Sequence, residues 1–321
     1  MDESAIKKIT DKLEKGISEL FESDQYKSYL KTMSHFHQYS FRNSMLIHLQ
    51  KPDATYVAGF KAWNKFDRYV NKGETGIRIL SPAPYKSIIE EIKRDDNGKA
   101  VKDVNGNPIT EMVERIVPSY KVTTVFDVSQ TSGKDLPEIA QKLSGDVGDY
   151  DRMIRSVEMA SPVPIKYEEI ASAANGYYSH DSKEIVVKRG LSEQQTLKTC
   201  IHEIAHSILH DKDTGAVKDD GLTSKDREVQ AESVAYTVCQ HFGIDTSDYS
   251  FGYIASWSSG RDLSELKASM DTIRKTANRL ISDIEYNLEQ LKIRKTMPLM
   301  EDEGVKSEKI KKRVCHGGMG M

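Results

Sequence analysis

The sequence predicts an α+β fold in successive parts: an N-terminal α+β domain, a second domain built round a histidine-bearing helix, and a helical C-terminal extension. Three observations predict it. Apolar residues recur at helical spacing at both ends of the chain. β-branched runs punctuated by Asn-Gly pairs occupy the middle. Two successive helical segments in the second half carry histidines and glutamates among apolar residues. The length, 321 residues, matches about two domains. The expected division is residues 1–131, 132–260, a helix over 261–295 and a disordered tail over 296–321.

Each element has a local reason. Over residues 4–22, Ile6, Ile9, Leu13, Ile17, Leu20 and Phe21 make one apolar helix face. Residues 26–50 read as a second helical region, stopped by Pro52. Residues 54–70 alternate aromatic and basic side chains, and 77–80 form a short strand after a glycine-bearing turn. Residues 87–119 read as a hairpin whose polar tip holds Asn97-Gly98 and Asn105-Gly106, and 121–128 as a β-branched strand. Residues 129–137 form the linker, followed by a helical stretch over 136–160 broken near Gly145 and Gly148. Strand signals at 164–170 and 175–187 precede the histidine helix, and the 184–187 strand is the expected peptide-binding edge. A long amphipathic helix over 263–291 follows.

The net charge, 46 basic against 49 acidic residues or −3, gives no global attraction to nucleic acid. Three cysteines, Cys200, Cys239 and Cys315, make no disulfide framework and no CxxC pair, which fits a reducing, cytoplasmic setting. The charged N-terminus reads as no signal peptide, and no apolar run approaches membrane-spanning length.

Residues 197–211 read LKTCIHEIAHSILHD. His202 and His206 lie four apart and share a helix face, with Glu203 beside them. Two imidazoles on adjacent turns can hold one Zn²⁺, and the carboxylate can accept a proton from water there. The bland alternative is a core helix with incidental histidines. The segment 226–242 weighs against it, because Glu228 and Glu232 share a face and Glu232 sits among Ala231, Val234 and Ala235. A carboxylate facing a core must be paired, protonated or on a metal. Tyr253 and His241 are candidate oxyanion donors, or else packed core and a helix-end residue.

From Tyr26 to Glu90 ten basic residues face four acidic ones, so the segment is +6. Arg42, Lys61, Lys65, Arg68 and Lys72 are candidate phosphate contacts. Tyr56, Trp63 and Tyr69 are candidate stacking rings for single-stranded DNA. Charge and ring content alone favour a small domain whose rings all pack and whose lysines are merely solvated, because rings this frequent usually pack.

Residues 39–86, YSFRNSMLIHLQKPDATYVAGFKAWNKFDRYVNKGETGIRILSPAPYK, resemble the N-terminal domain of ArdC-type antirestriction proteins, and FDVSQT at 126–131 resembles its end. HEIAHSILH with EVQAESVAY resembles the zincin-like half of the same family and ImmA/IrrE-type peptidases. The resemblance implies a single-stranded-DNA-binding domain followed by a zincin-like metallopeptidase domain, in a protein that shields the DNA of conjugative elements from restriction. It implies Zn²⁺ on His202, His206 and a glutamate of EVQAES, with Glu203 as general base. Glu232, followed by small Ser233 and aromatic Tyr236, is the expected third ligand, with Glu228 orienting an imidazole; a thermolysin-like layout reverses them. The peptidase half implies a host protein as substrate, though nothing in the sequence identifies one, and the lack of a long apolar run predicts no membrane partner. The alternative function is a DNA-coating protein whose zinc site is structural or vestigial.

Overall fold

The computed structural model describes residues 3–21, 23–136, 150–211, 213, 222–249 and 251–296. The predicted helix break at 145–148, Cys315 and residues 297–321 of the expected tail lie outside them. Three helices open the chain: α1 (Glu3–Glu19), α2 (Ser23–His35) and α3 (Phe41–Gln50). The region expected as one helix over 26–50 is thus two. The chain restarts at α3 because the Ser40 side chain accepts the Asn43 N–H at 3.3 Å, satisfying a first-turn amide.

A small β unit follows. Its elements are β1 (Val57–Gly59), α4 (Phe60–Asn64), β2 (Arg68–Val70), β3 (Ile77–Pro82), β4 (Tyr85–Ile92), β5 (Thr110–Val117), β6 (Tyr120–Asp127) and β7 (Thr131–Gly133). β6 is the middle strand, antiparallel to β1 on one side and β3 on the other. β2 pairs with β7, and β4 with β5 in the predicted hairpin. Phe36, Ile47, Ala54, Val57, Ile77, Ile79 and Val125 form a compact apolar core between this sheet and the helices.

The segment FDVSQT is the clasp of this unit. One Asp127 carboxylate oxygen accepts the Thr55 and Tyr56 N–H groups at 2.8 and 3.1 Å, and the other accepts the Ser129 N–H at 2.9 Å. Gln130 accepts the Asp127 N–H and donates to Glu74 and to the Thr75 carbonyl, each at 2.9 Å. Two loops distant in sequence are thereby held by a few buried polar groups, each satisfied as burial requires.

The second half contains α5 (Tyr150–Ala160), β8 (Ile165–Glu168), β9 (Gly176–Ser179), β10 (Glu184–Lys188), α6 (Glu193–Leu209), α7 (Ser224–His241), α8 (Ile254–Ser258) and α9 (Leu263–Thr296). β10 is central, parallel to β8 and antiparallel to β9. The strand expected to offer its edge is therefore enclosed on both sides, and among the described residues the outer edges belong to β8 and β9. The predicted 263–291 helix extends to 34 residues, about 50 Å at 1.5 Å per residue. Leu266, Met270, Ile273, Ala277, Leu280 and Ile284 make its buried stripe, spaced four and three residues by turns.

The main core crosses the expected boundary between residues 131 and 132. Tyr29, Leu30 and Met33 of α2 belong to the same apolar cluster as Ile201 and Ile204 of α6, Val234 of α7 and Ile273 of α9. The fully buried Tyr26 hydroxyl bonds the Ser233 hydroxyl of α7 at 2.7 Å. The reason is geometric: the small sheet covers only part of α2 and α3, so their remaining apolar faces need the second half. Each fully buried Leu or Ile there contributes about 1.5–3 kcal/mol. Cys200 and Cys239 are buried and unbridged, as predicted. No described helix is long and apolar enough to cross a membrane.

Candidate metal centre

α6 begins where Ser192 accepts the Gln195 N–H at 3.3 Å. Its buried Leu197, Ile201, Ile204 and Ala205 fix its roll, so His202 and His206 point together toward α7. α7 is started by a reciprocal cap between Thr223 and Asp226, and Asp226 also accepts the Trp257 indole N–H at 2.7 Å. That anchors the first turns of α7, which carry Glu228 to the imidazoles.

The two imidazole Nε2 atoms are 3.0 Å apart. One Glu228 oxygen lies 3.4 Å from His206 Nε2 and the other 3.6 Å from His202 Nε2. A tetrahedral ion with ligands at about 2.0–2.2 Å holds its donors about 3.3–3.6 Å apart. Two ring nitrogens turned toward each other also need a proton or a cation between their lone pairs. The donor set thus fits a divalent ion, and it is the one such cluster among the described residues.

Glu232 stands differently from the expectation. It lines the same cavity but lies outside the cluster. Burial pushes its carboxyl up to about 7. Hydrogen bonds from His202 and His206 instead hold Glu228 well below the usual carboxylate range. Distance thus puts Glu228, and not Glu232, with the two imidazoles.

Burial raises Glu203, while His202 and His206 oppose the shift. Its side chain faces the same cavity, of about 660 Å³, as the imidazoles. β9 lies hard against it: a Cβ on Gly176 would come 2.6 Å from the Thr199 methyl and 3.5 Å from Glu203 Cγ. Glycine at that position lets the free strand edge reach the site. Tyr177, Tyr178, His180, Lys198 and Tyr249 also line the cavity. Spacing gave no signal for the tyrosines and His180, which come from a strand, a turn and a loop; Lys198 stands on α6 itself, four residues before His202. Neither Tyr253 nor His241 lines it; His241 bonds the Ser34 carbonyl and Glu285 at 2.9 and 3.0 Å.

Residues 1–126 match the family model described as the N-terminal domain of anti-restriction factor ArdC. Residues 160–240 match the peptidase-family model described as the IrrE N-terminal-like domain. The chain joins an ArdC-type N-terminal domain to an IrrE-like domain. It is 29% identical over 320 residues to an uncharacterized protein of Bacillus anthracis, covering 89% of this chain and 52% of that protein, so it spans about half its curated relative's length. The antirestriction ArdC protein from the R388 plasmid aligns in its metal-free structure with TM-score 0.49 and 18% identity, covering 78% of this chain and 86% of that one. Its Mn(II)-bound structure aligns with TM-score 0.45 and 16% identity, covering 78% and 85%.

In the ArdC-type domain the predicted contacts separate into two groups. Arg42, Lys61, Lys65 and Lys72 are exposed, as are Tyr56 and Tyr69. Trp63 and Arg68 are not. Trp63 is fully buried, its indole N–H donating to the Phe126 carbonyl at 3.0 Å. The Arg68 guanidinium is consumed by Thr131 and the Lys134 carbonyl, at 2.6 to 2.9 Å. Both fasten α4 and β2 to the end of the domain, so neither is free for DNA. Phe60 and Phe66, part of the 54–70 alternation but not among the candidate stacking rings, are 55% and 39% exposed, and Phe66 packs edge-on against Trp63.

Proposed function

We propose that the chain is a single-stranded-DNA-binding antirestriction protein of a mobile element, acting in the cytoplasm, whose IrrE-like domain is a Zn²⁺-dependent endopeptidase. The observation that carries the reading is the donor set of His202, His206 and Glu228 sharing one cavity with Glu203. Two imidazoles and a carboxylate suit Zn²⁺. The ion, when bound, supplies Lewis acidity. Glu203 takes a proton from water in the cavity and returns it to the leaving amine. Its place in the same cavity as the imidazoles suits both transfers. The peptide lies along the free edge of β9, in backbone register. A purely structural metal site needs no carboxyl at the position of Glu203, which favours retained chemistry over the coating alternative.

The ArdC-type domain supplies the DNA address. Arg42, Lys61, Lys65 and Lys72 meet phosphates, and Tyr56, Tyr69, Phe60 and Phe66 offer faces to bases. The experiment compares wild type with Glu203→Ala. Both should bind Zn²⁺ and single-stranded DNA, and only wild type should cleave a peptide library. Absence of cleavage by the Zn²⁺-loaded wild type would end the peptidase reading and leave the coating function.

A further inference from the structure

His206 uses its second ring nitrogen as well. Its Nδ1 lies 3.0 Å from Nδ1 of His210, four residues further on at the C-cap of α6. His210 Nε2 lies 3.2 Å from the Gln230 carboxamide oxygen on α7, and Gln230 Nε2 donates to the Ser269 hydroxyl of α9 at 3.2 Å. His210 and Gln230 are 3% and 5% exposed. Two polar side chains in such a place need a matched set of partners.

We propose that His210, Gln230 and Ser269 form a positioning chain that fixes the ring orientation and tautomer of His206, so that its Nε2 lone pair stays aimed into the donor set. This rests on the metal-site reading above. The directions follow one from another. An imidazole that offers Nε2 to a cation carries its hydrogen on Nδ1. His206 Nδ1–H therefore donates, and His210 Nδ1 must accept. The His210 hydrogen then sits on Nε2 and donates to the Gln230 oxygen. The Gln230 amide nitrogen is left to donate to Ser269. Reversing the Gln230 carboxamide would set two donors face to face at His210. The backbone holds the pair as well, since the His210 N–H bonds the His206 carbonyl at 2.8 Å.

The chain reaches three helices. α7 thus gives the site both a ligand, Glu228, and a support, Gln230, while α9 anchors the far end. Partners of this kind contribute about 10–100-fold in metal affinity.

The test measures Zn²⁺ affinity of the full chain by competition with a chromophoric chelator. His210→Leu should bind about 10–100-fold more weakly, because the bond from His206 is lost. His210→Asn should stay near wild type, since its carboxamide oxygen stands where Nδ1 was. Gln230→Leu should fall between them. Ring-nitrogen NMR of the Zn²⁺-loaded wild type should show His206 protonated at Nδ1 and His210 at Nε2, a signature that packing alone does not set. His210 protonated at Nδ1 overturns the proposal, as does His210→Asn binding no better than a folded His210→Leu. Equal affinity of His210→Leu and wild type overturns it too and leaves the metal site standing. A wild type that binds no Zn²⁺ overturns the metal site first and this chain with it.

Discussion

The metal centre and the surface of the ArdC-type domain break the ordinary sorting of side chains in opposite senses. At the centre, His202, His206, His210 and Glu203 are drawn in among apolar helices, where each must find a partner, and Glu228 meets the imidazoles from the exposed side. On the ArdC-type domain, Phe60, Phe66, Tyr56 and Tyr69 stay at the surface, where a ring needs no partner. The two kinds of exception therefore differ in what they demand. A buried polar group constrains its neighbours, so its geometry can be checked bond by bond. An exposed ring rests one edge on its neighbours, as Phe66 does on Trp63, and only a ligand reveals the use of its open face.

The widest contrast comes from removing a ligand. His206→Ala or Glu228→Ala should empty the metal site, whereas Glu232→Ala should leave it filled. Elemental analysis of the purified variants decides the matter, and a filled site in Glu228→Ala with an empty one in Glu232→Ala would exchange their roles.

Next in size is Trp63→Ala. Loss of a fully buried ring with its indole bond should cost about 3–5 kcal/mol in urea unfolding. Tyr69→Ala, 60% exposed at the start, should change stability by less than about 0.5 kcal/mol. Comparable losses would erase the distinction between the packed and displayed rings.

His48 carries the logic of the metal centre into the ArdC-type domain. It is buried, with one bond from Nδ1 to Thr32 at 2.9 Å, and burial pushes it down to about 4. The unfolded chain takes up this proton first as pH falls below about 6.5. Stability is thus full above that value and is lost toward pH 4, by about 3 kcal/mol. Urea unfolding at pH 7.5 and 4.5 should show the loss, and His48→Gln should reduce it. An unchanged difference would shift the cause to other buried histidines.

The smallest effects concern DNA. Tyr69→Ala should weaken binding of a single strand by about 1–3 kcal/mol. Replacing Lys61 and Lys65 together should lower the salt slope by about 1.4, or about 0.7 for each phosphate contact. Fluorescence anisotropy across salt concentrations gives both, and duplex DNA binding as well as a single strand would remove the stacking contribution.

These contrasts also explain what could be read in advance. The His202–His206 pair and the helices that carry it were legible, because helical spacing alone brings both rings to one face. The third donor was not, since its choice depends on how α7 is rolled against α6. His210 stands four residues beyond His206, the same spacing as the motif, but the sequence shows no partner for it. Gln230 and Ser269 reach it only through tertiary packing. In the ArdC-type domain the residue types were visible but not their sides. Trp63 and Arg68 are held by the 126–134 segment, about sixty residues away in the chain. No local pattern encodes such a bond. The division at residue 131 was drawn from linker composition, which says nothing of the apolar faces that α1, α2 and α3 turn toward the second half.

The long α9 has a consequence for how the molecule is made. It is synthesised after every other described element, yet its apolar stripe packs beside α1, α3, α5 and α7. While the ribosome is still adding residues 263–284, those helices have water where α9 will lie. The nascent ArdC-type domain can close its small sheet early, because that core is local. The main core must wait for the last helix to emerge. Commitment of the metal centre to its final shape is therefore a late event in the life of each new chain, timed by translation.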